Sequence, residues 1–193
     1  MSSQPKSFLT PEEYLEQERR AEYKSEYFRG EVFAMAGASE RHGVIVANLM
    51  RDLGVQLKER PCKVYAGDLR LQVTPTGLYT YPDVMVICGP VQFADKQRDT
   101  VLNPVVLIEV LSGSTQDYDR GRKFQHYRSL PSLMEYLTVA QDEPHLEQWS
   151  RKYEDTGLFV EYNNLSQSIP LAAIDCVLPM SEIYRKIDWT SKP

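Results

Sequence analysis

Two carboxylates interrupt stretches that otherwise read as buried strands. Residues 105–112 are VVLIEVLS, with Glu109 near the middle, and residues 81–88 are YPDVMVIC, broken by Asp83. Apolar runs of this length suit strands covered on both faces. An ionised carboxylate in such a place costs roughly several kcal/mol unless a cation, a metal or hydrogen bonds compensate it. Two such acids on neighbouring strands point to one shared cation. Side chains alternate along a strand, so Asp83 goes with Tyr81 and Met85, and Glu109 with Leu107 and Leu111. If the strands are neighbours, the acids converge from one side. That donor set suits Mg2+, with Mn2+ as a substitute: a hard cation that takes one or two carboxylates and fills its octahedron with water and substrate phosphate. The main-chain carbonyl of Val110 is a candidate further ligand. Pro82 removes a backbone donor and stiffens the approach to Asp83.

A basic cluster follows Glu109. Residues 118–128, YDRGRKFQHYR, carry Arg120, Arg122, Lys123 and Arg128. A lysine reaching back from this segment can hold an attacking water and offset phosphate charge, and Arg120 and Arg122 are candidate phosphate contacts. The intervening SGSTQD has small residues whose amides can approach phosphate oxygens. Each residue also has a plainer reading. Asp83 can bond backbone amides at a strand start, Glu109 can pair with a helix arginine, and Lys123 can be an exposed partner of Asp119 four residues earlier. His126 and His145 lack metal-ligand spacing, and Tyr127 and Tyr136 fit core packing.

The chain of 193 residues is 42% hydrophobic and 25% charged, which fits one globular domain. Its 27 acidic and 22 basic residues leave a net charge of −5, so nothing draws the whole molecule to nucleic acid or an anionic membrane. A polyanion must find a local basic patch. No apolar stretch approaches the ~20 residues of a membrane span, and the start, MSSQPKSFLTPEEY, has no signal-peptide core. Cys62, Cys88 and Cys176 are odd in number, scattered and without a CxxC pair, so no zinc knuckle or redox motif is expected. Cys88 reads as a buried free thiol. The expected compartment is the cytoplasm.

The elements that must position these groups follow from capping and periodicity. Thr10-Pro11-Glu12-Glu13 is a helix start with a capping box, for a helix to about Ala21. Residues 26–36 read as a hairpin turning near Arg29-Gly30. Ser39 caps a longer helix to about Lys58, with Val46, Leu49, Leu53 and Leu57 inward and Pro61 as its stop. Strands are expected at 62–74, 81–88 and 104–111, a helix at 118–129, a strand at 132–140, shorter strands at 145–151 and 157–162, and a last segment near 180–186. The fold class is α/β (α+β), one domain over 1–193. Its core spans 39–140, preceded by a helix and hairpin at 10–36 and followed by strands and a short helix at 141–187.

The ordered set GEVFAMAGASERH, YPDVMV, PVVLIEVLS and YDRGRKFQHYRSLPSLMEYL resembles the bacterial Uma-two group of restriction endonucleases, a branch of the PD-(D/E)xK nuclease superfamily. The resemblance spans roughly residues 8–185. It implies a restriction-endonuclease-like core: a mixed β-sheet flanked by helices, in the order helix, three strands, helix, strand, with extra terminal strands and helix. It also implies a Mg2+-dependent endonuclease hydrolysing DNA, with Asp83 and Glu109 as metal ligands. The superfamily's lysine, two residues beyond the second acid, is Leu111 here, and the resemblance moves that role to Lys123. Glu31, His42 and Asp68 are assigned to the rim of the site. The implied partners are DNA and a second copy of the chain, with no membrane and no organic cofactor. Two alternatives stand beside this: a nuclease-fold module that binds nucleic acid or protein without catalysis, which Leu111 and the acidic charge favour, and a metal-dependent phosphoesterase on another substrate.

Overall fold

In a computed structural model the described residues are 8–190, apart from 36, 113–115 and 154–155. Thr10 closes its capping box and starts α1 (Pro11–Glu18). The hairpin is β1 (Ser25–Phe28) and β2 (Glu31–Ala34), with Phe28 opposite Glu31. Its turn residues, Arg29 and Gly30, have φ of 48° and 90°, the paired left-handed geometry that matches the twist of a tight hairpin. Ser39 caps α2 (Glu40–Gln56) by accepting from the His42 amide.

The stretch 62–74 is two strands, not the single strand expected. β3 (Cys62–Ala66) and β4 (Arg70–Val73) are separated by a turn at Gly67-Asp68-Leu69, where the Asp68 amide folds back onto the Ala66 carbonyl at 2.7 Å. Both halves are rich in strand-forming residues, so local pattern alone could not divide them. Then come β5 (Leu78–Thr80), β6 (Val84–Cys88), the short β7 (Thr100–Val101) and β8 (Val106–Leu111). The expected second helix is a run of α3 (Gln116–Tyr118), a π-helical turn Asp119–Lys123 and α4 (Phe124–Tyr127). The chain finishes with β9 (Glu135–Ala140), β10 (Leu146–Tyr153), β11 (Thr156–Tyr162), β12 (Ser168–Leu171), β13 (Cys176–Pro179) and α5 (Met180–Ile183).

Six strands form a mixed sheet in the order β11-β10-β9-β8-β6-β3, in which β8 and β9 are parallel. A second sheet has the order β2-β1-β5-β4-β7. On one face of the large sheet, Ile45, Leu49 and Leu53 of α2 pack with Val84, Val86, Ile108 and Leu137, and β12, β13 and α5 close that layer. On the other face, Met85, Ile87 and Leu107 pack with Leu71 and Leu78 of the second sheet and with Tyr127 beneath the α3–α4 run. β8 is central and buried along its whole length, Glu109 included. The polar excursion between β6 and β8 anchors α1: Arg19 binds Asp99 at 2.7 Å and Asp95 at 2.5 Å.

Cys88 is not the free thiol expected. It faces Cys62 directly across the β3–β6 pair and is disulfide-bonded to it, at a Cα–Cα distance of 3.9 Å. A separation of 26 residues hid a partnership that only strand register creates. Cys176 is the buried free cysteine.

Candidate active site

β6 and β8 run antiparallel, with Val84 opposite Ile108 and Met85 opposite Leu107. One step further the register brings Asp83, just before β6, level with Glu109. The backbone fixes the acids closely. Asp83 Oδ2 accepts from the Val110 amide at 2.8 Å, and Glu109 Oε2 lies 3.4 Å from the Asp83 amide. His42, from the first turn of α2, brings Nε2 to 3.1 Å from Asp83 Oδ2.

The α3–α4 run brings the cation. Lys123 is buried, its side chain 6% exposed, with Nζ 3.0 Å from Glu109 Oε1, 3.0 Å from Glu26 Oε1 and 3.4 Å from Asp119 Oδ1. An ammonium has three donors, and three carboxylates surround this one. The π-helical turn holds Asp119 and Lys123 together on its buried side. Tyr127 donates to Glu109 Oε1 at 2.6 Å, and Thr80 donates to Glu26 at 2.5 Å. Tyr118 also bonds Glu26.

The charges do not balance. Four acids, Asp83, Glu109, Asp119 and Glu26, gather around one lysine and one histidine. Burial, with Asp83 and Asp119 adding to it, pushes the Glu109 carboxyl up to about 8 against the pull of Lys123. Desolvation opposes the charge on Lys123, but Glu109 and the surrounding groups outweigh it and hold the amine well above the usual lysine range. The lysine stays charged, and Glu109 is the acid of the group that burial makes readiest to take up a proton.

The remaining expected residues fall in different places. Gly67, next to Asp68, lies against Asp83: a Cβ on it would sit 3.8 Å from the Asp83 Cα. The Asp68 side chain itself is 90% exposed and pairs with Lys24. Glu31 sits at the turn end of the hairpin, half-buried. Arg120 binds Glu147 at 3.1 Å, and Glu147 accepts from Thr138 at 2.8 Å. Arg122 is exposed, and Leu111 is buried. Gly113, Ser114 and Thr115, the middle of the expected phosphate-binding SGSTQD loop, lie outside the described residues. Lys123 is not the exposed partner of Asp119 that helical spacing also allowed, because Asp119 is buried with it. Sequence reasoning missed Glu26 and Tyr127. Glu26 looks like the polar face of an alternating strand and Tyr127 like core packing; nothing local marks either as a partner of the site.

Among the described residues no group of three or more histidine, cysteine or carboxylate side chains is placed to hold a metal ion. The carboxylate pair at the site is Asp83 and Glu109. Its hard oxygens and surplus charge fit a cation that takes most of its shell from water and substrate.

Comparison with known proteins gives this arrangement a family. The model of Uma2, described as "Putative restriction endonuclease", matches residues 11–181. The chain belongs to the Uma2 family. A nuclease-like function goes with that membership. Two Synechocystis sp. proteins are similar. "Uncharacterized protein sll1609" is 41% identical over 133 residues, covering 69% of this chain and 75% of its own. "Uncharacterized protein slr1290" is 36% identical over 183 residues, 95% of each. The crystal structure of "a putative nuclease belonging to DUF820" from Anabaena variabilis superposes with a TM-score of 0.72 at 16% identity, covering 91% of this chain and 97% of that one. The fold of this Uma2 protein is restriction-endonuclease-like, a mixed sheet flanked by helices.

Proposed function

We propose that the chain is a Mg2+-dependent endonuclease hydrolysing DNA phosphodiester bonds, with Asp83 and Glu109 as the metal ligands. The observation that carries this reading is the gathering of carboxylates around Lys123, with Asp83 and Glu109 brought next to each other at the β6–β8 pair. A buried acid pair with too little counter-charge is costly on its own, and a divalent cation removes that cost. When bound, the ion supplies Lewis acidity at the scissile phosphate and a more acidic coordinated water. The Val110 carbonyl is the candidate third protein ligand, since the Val110 amide already ties β8 to Asp83.

The chain's residues divide the remaining work. The Val110 amide and His42 hold Asp83 from one side, and Tyr127 and Lys123 hold Glu109 Oε1 from the other. Lys123 takes over the task of the lysine that Leu111 displaces, reaching Glu109 from the helix rather than from the strand. Its longest contact, 3.4 Å to Asp119, is the one a substrate-side water replaces most cheaply. In that position it orients the water or offsets charge on the phosphate. Cleavage of both strands of a duplex calls for two such sites, which a homodimer supplies.

The test is cleavage of supercoiled plasmid in Mg2+ or Mn2+, comparing wild type with Asp83→Asn, Glu109→Gln and Lys123→Ala. Nicking by wild type, lost in both acid variants and lowered at least tenfold or so in the lysine variant, is the expected result. Equal nicking by all four proteins would assign the activity elsewhere.

A further inference from the structure

The basic cluster after β8 does not stay together in the fold. Lys123 is buried among acids and Arg120 is taken by Glu147. Arg128, at the end of α4, instead meets two cations from β10 that lie more than twenty positions away in sequence. Arg128, Pro131, Met134, Arg151, Lys152 and Tyr153 line an open groove of about 550 Å³, and none of the described residues lining it is acidic. Arg151 builds the groove: its guanidinium donates to the carbonyls of Arg128, Leu130 and Leu133 at 2.7, 3.0 and 2.8 Å. Arg128 and Lys152 are exposed, with Lys152 close enough to the buried Glu135 carboxylate for its charge to act on it. Tyr153, 80% exposed, stands at the lip, and Met134 adds an exposed apolar surface. Glu154 and Asp155, which follow, lie outside the described residues.

In a chain of net charge −5 this is a local basic patch of the kind a polyanion requires. Its position relates it to the carboxylate pair. Arg128 follows Lys123 by five residues, about 7–8 Å of helical rise. In the sheet Glu109 stands opposite Thr138 and Thr138 opposite Glu147, so Arg151 and Lys152 lie further along β10 by about 13–17 Å of strand rise. One DNA strand advances ~3.4 Å per phosphate, so a backbone passing the pair reaches the groove within several nucleotides. We propose that the groove is a second contact for the nucleic-acid backbone, in which Arg128 and Lys152 bind phosphates of the flanking strand and Tyr153 offers a ring to a base or sugar. This rests on the nuclease reading above, and it names where an acidic protein holds an acidic substrate. The apolar lining beside the cations fits a sugar–phosphate chain better than free phosphate, which would use the charges alone.

The experiment is fluorescence anisotropy of a short labelled duplex against the full chain without divalent metal, over a series of KCl concentrations. It compares wild type, the double variant Arg128→Gln/Lys152→Gln, and a control, Lys58→Gln/Lys96→Gln, which removes two exposed cations elsewhere. Removing two phosphate contacts lowers the slope of log K against log salt by about 1.8 and weakens binding roughly tenfold or more at low salt. The control keeps the wild-type slope, and unchanged melting temperatures show that all three fold. Tyr153→Ala weakens binding without changing the slope. An unchanged slope in the groove variant, or equal losses in the control, overturns the proposal. Plasmid cleavage at saturating protein separates it from the nuclease reading. Cleavage by wild type with an unaltered groove-variant slope sinks the groove alone, whereas salt-sensitive, groove-dependent binding without cleavage sinks the nuclease reading and leaves the groove standing.

Discussion

At the scale of single residues the described site holds more carboxylates than cations. Lys123→Met removes the ammonium that Glu26, Glu109 and Asp119 share and leaves those acids closer to repelling one another. Breaking a buried pair this way costs about 3–5 kcal/mol, so the melting temperature falls, and added Mn2+ recovers more of it in the variant than in wild type. Calorimetric or fluorescence melting with and without Mn2+ checks this. Glu26→Gln is gentler, because Asp119 and Glu109 still hold Lys123 and Thr80 can still donate to the amide oxygen. It lowers stability by about 1–3 kcal/mol and reduces kcat for plasmid cleavage with little change in KM, since Glu26 touches the lysine and not the substrate. A matched loss in KM would contradict that role. The acid pair was legible in the sequence because burial energetics make a lone carboxylate in an apolar strand conspicuous. Glu26 was not, because a glutamate on an alternating hairpin strand has solvent as its default neighbour.

Secondary-structure elements show the same division between local and distant causes. The capping box at Thr10, the cap at Ser39 and the Arg29-Gly30 turn are set by neighbours within a few residues, and all were readable. The break between β3 and β4 and the Cys62–Cys88 pairing depend on which sheet each strand joins, which no local pattern states. Two predictions belong here. A Cβ at Gly157 would lie 2.0 Å from Trp149 Nε1, so Gly157→Ala must displace the indole that packs on Phe124. Thermal melting should show a loss of about 1–3 kcal/mol, with metal-dependent cleavage retained because β11 is remote in the sheet from Asp83. The link between α1 and the β6–β8 excursion is pH-dependent. The Arg19 guanidinium holds the Asp99 carboxyl below its usual value. A depressed carboxylate contributes stability that is present above its unfolded pKa of about 3.9 and disappears as pH falls through the folded value. Wild type is therefore more stable than Arg19→Gln at neutral pH, and the two acid-unfolding curves converge as pH falls through the depressed Asp99 value. Parallel curves that never meet would place the stabilisation elsewhere.

For the whole molecule, fold and charge answer different questions. The restriction-endonuclease-like sheet brings residues from α2, β1, β6, β8 and the π-helical turn to one point, which explains why a site spread over 98 positions, Glu26 to Lys123, was only half visible along the chain. Net charge says the opposite of what the site suggests: at −5 the surface as a whole repels DNA, and binding must depend on a confined basic region and on salt. No helix among the described residues is long and apolar enough to cross a membrane. The account stands or falls on whether the carboxylate pair takes a divalent cation. Isothermal titration of the metal-free protein with Mn2+ measures this directly. The predicted result is one site per chain in wild type, lost in both Asp83→Asn and Glu109→Gln and kept in Asp68→Asn, whose side chain faces solvent beside the site. Binding of equal strength in all four proteins, or none in wild type, would contradict it.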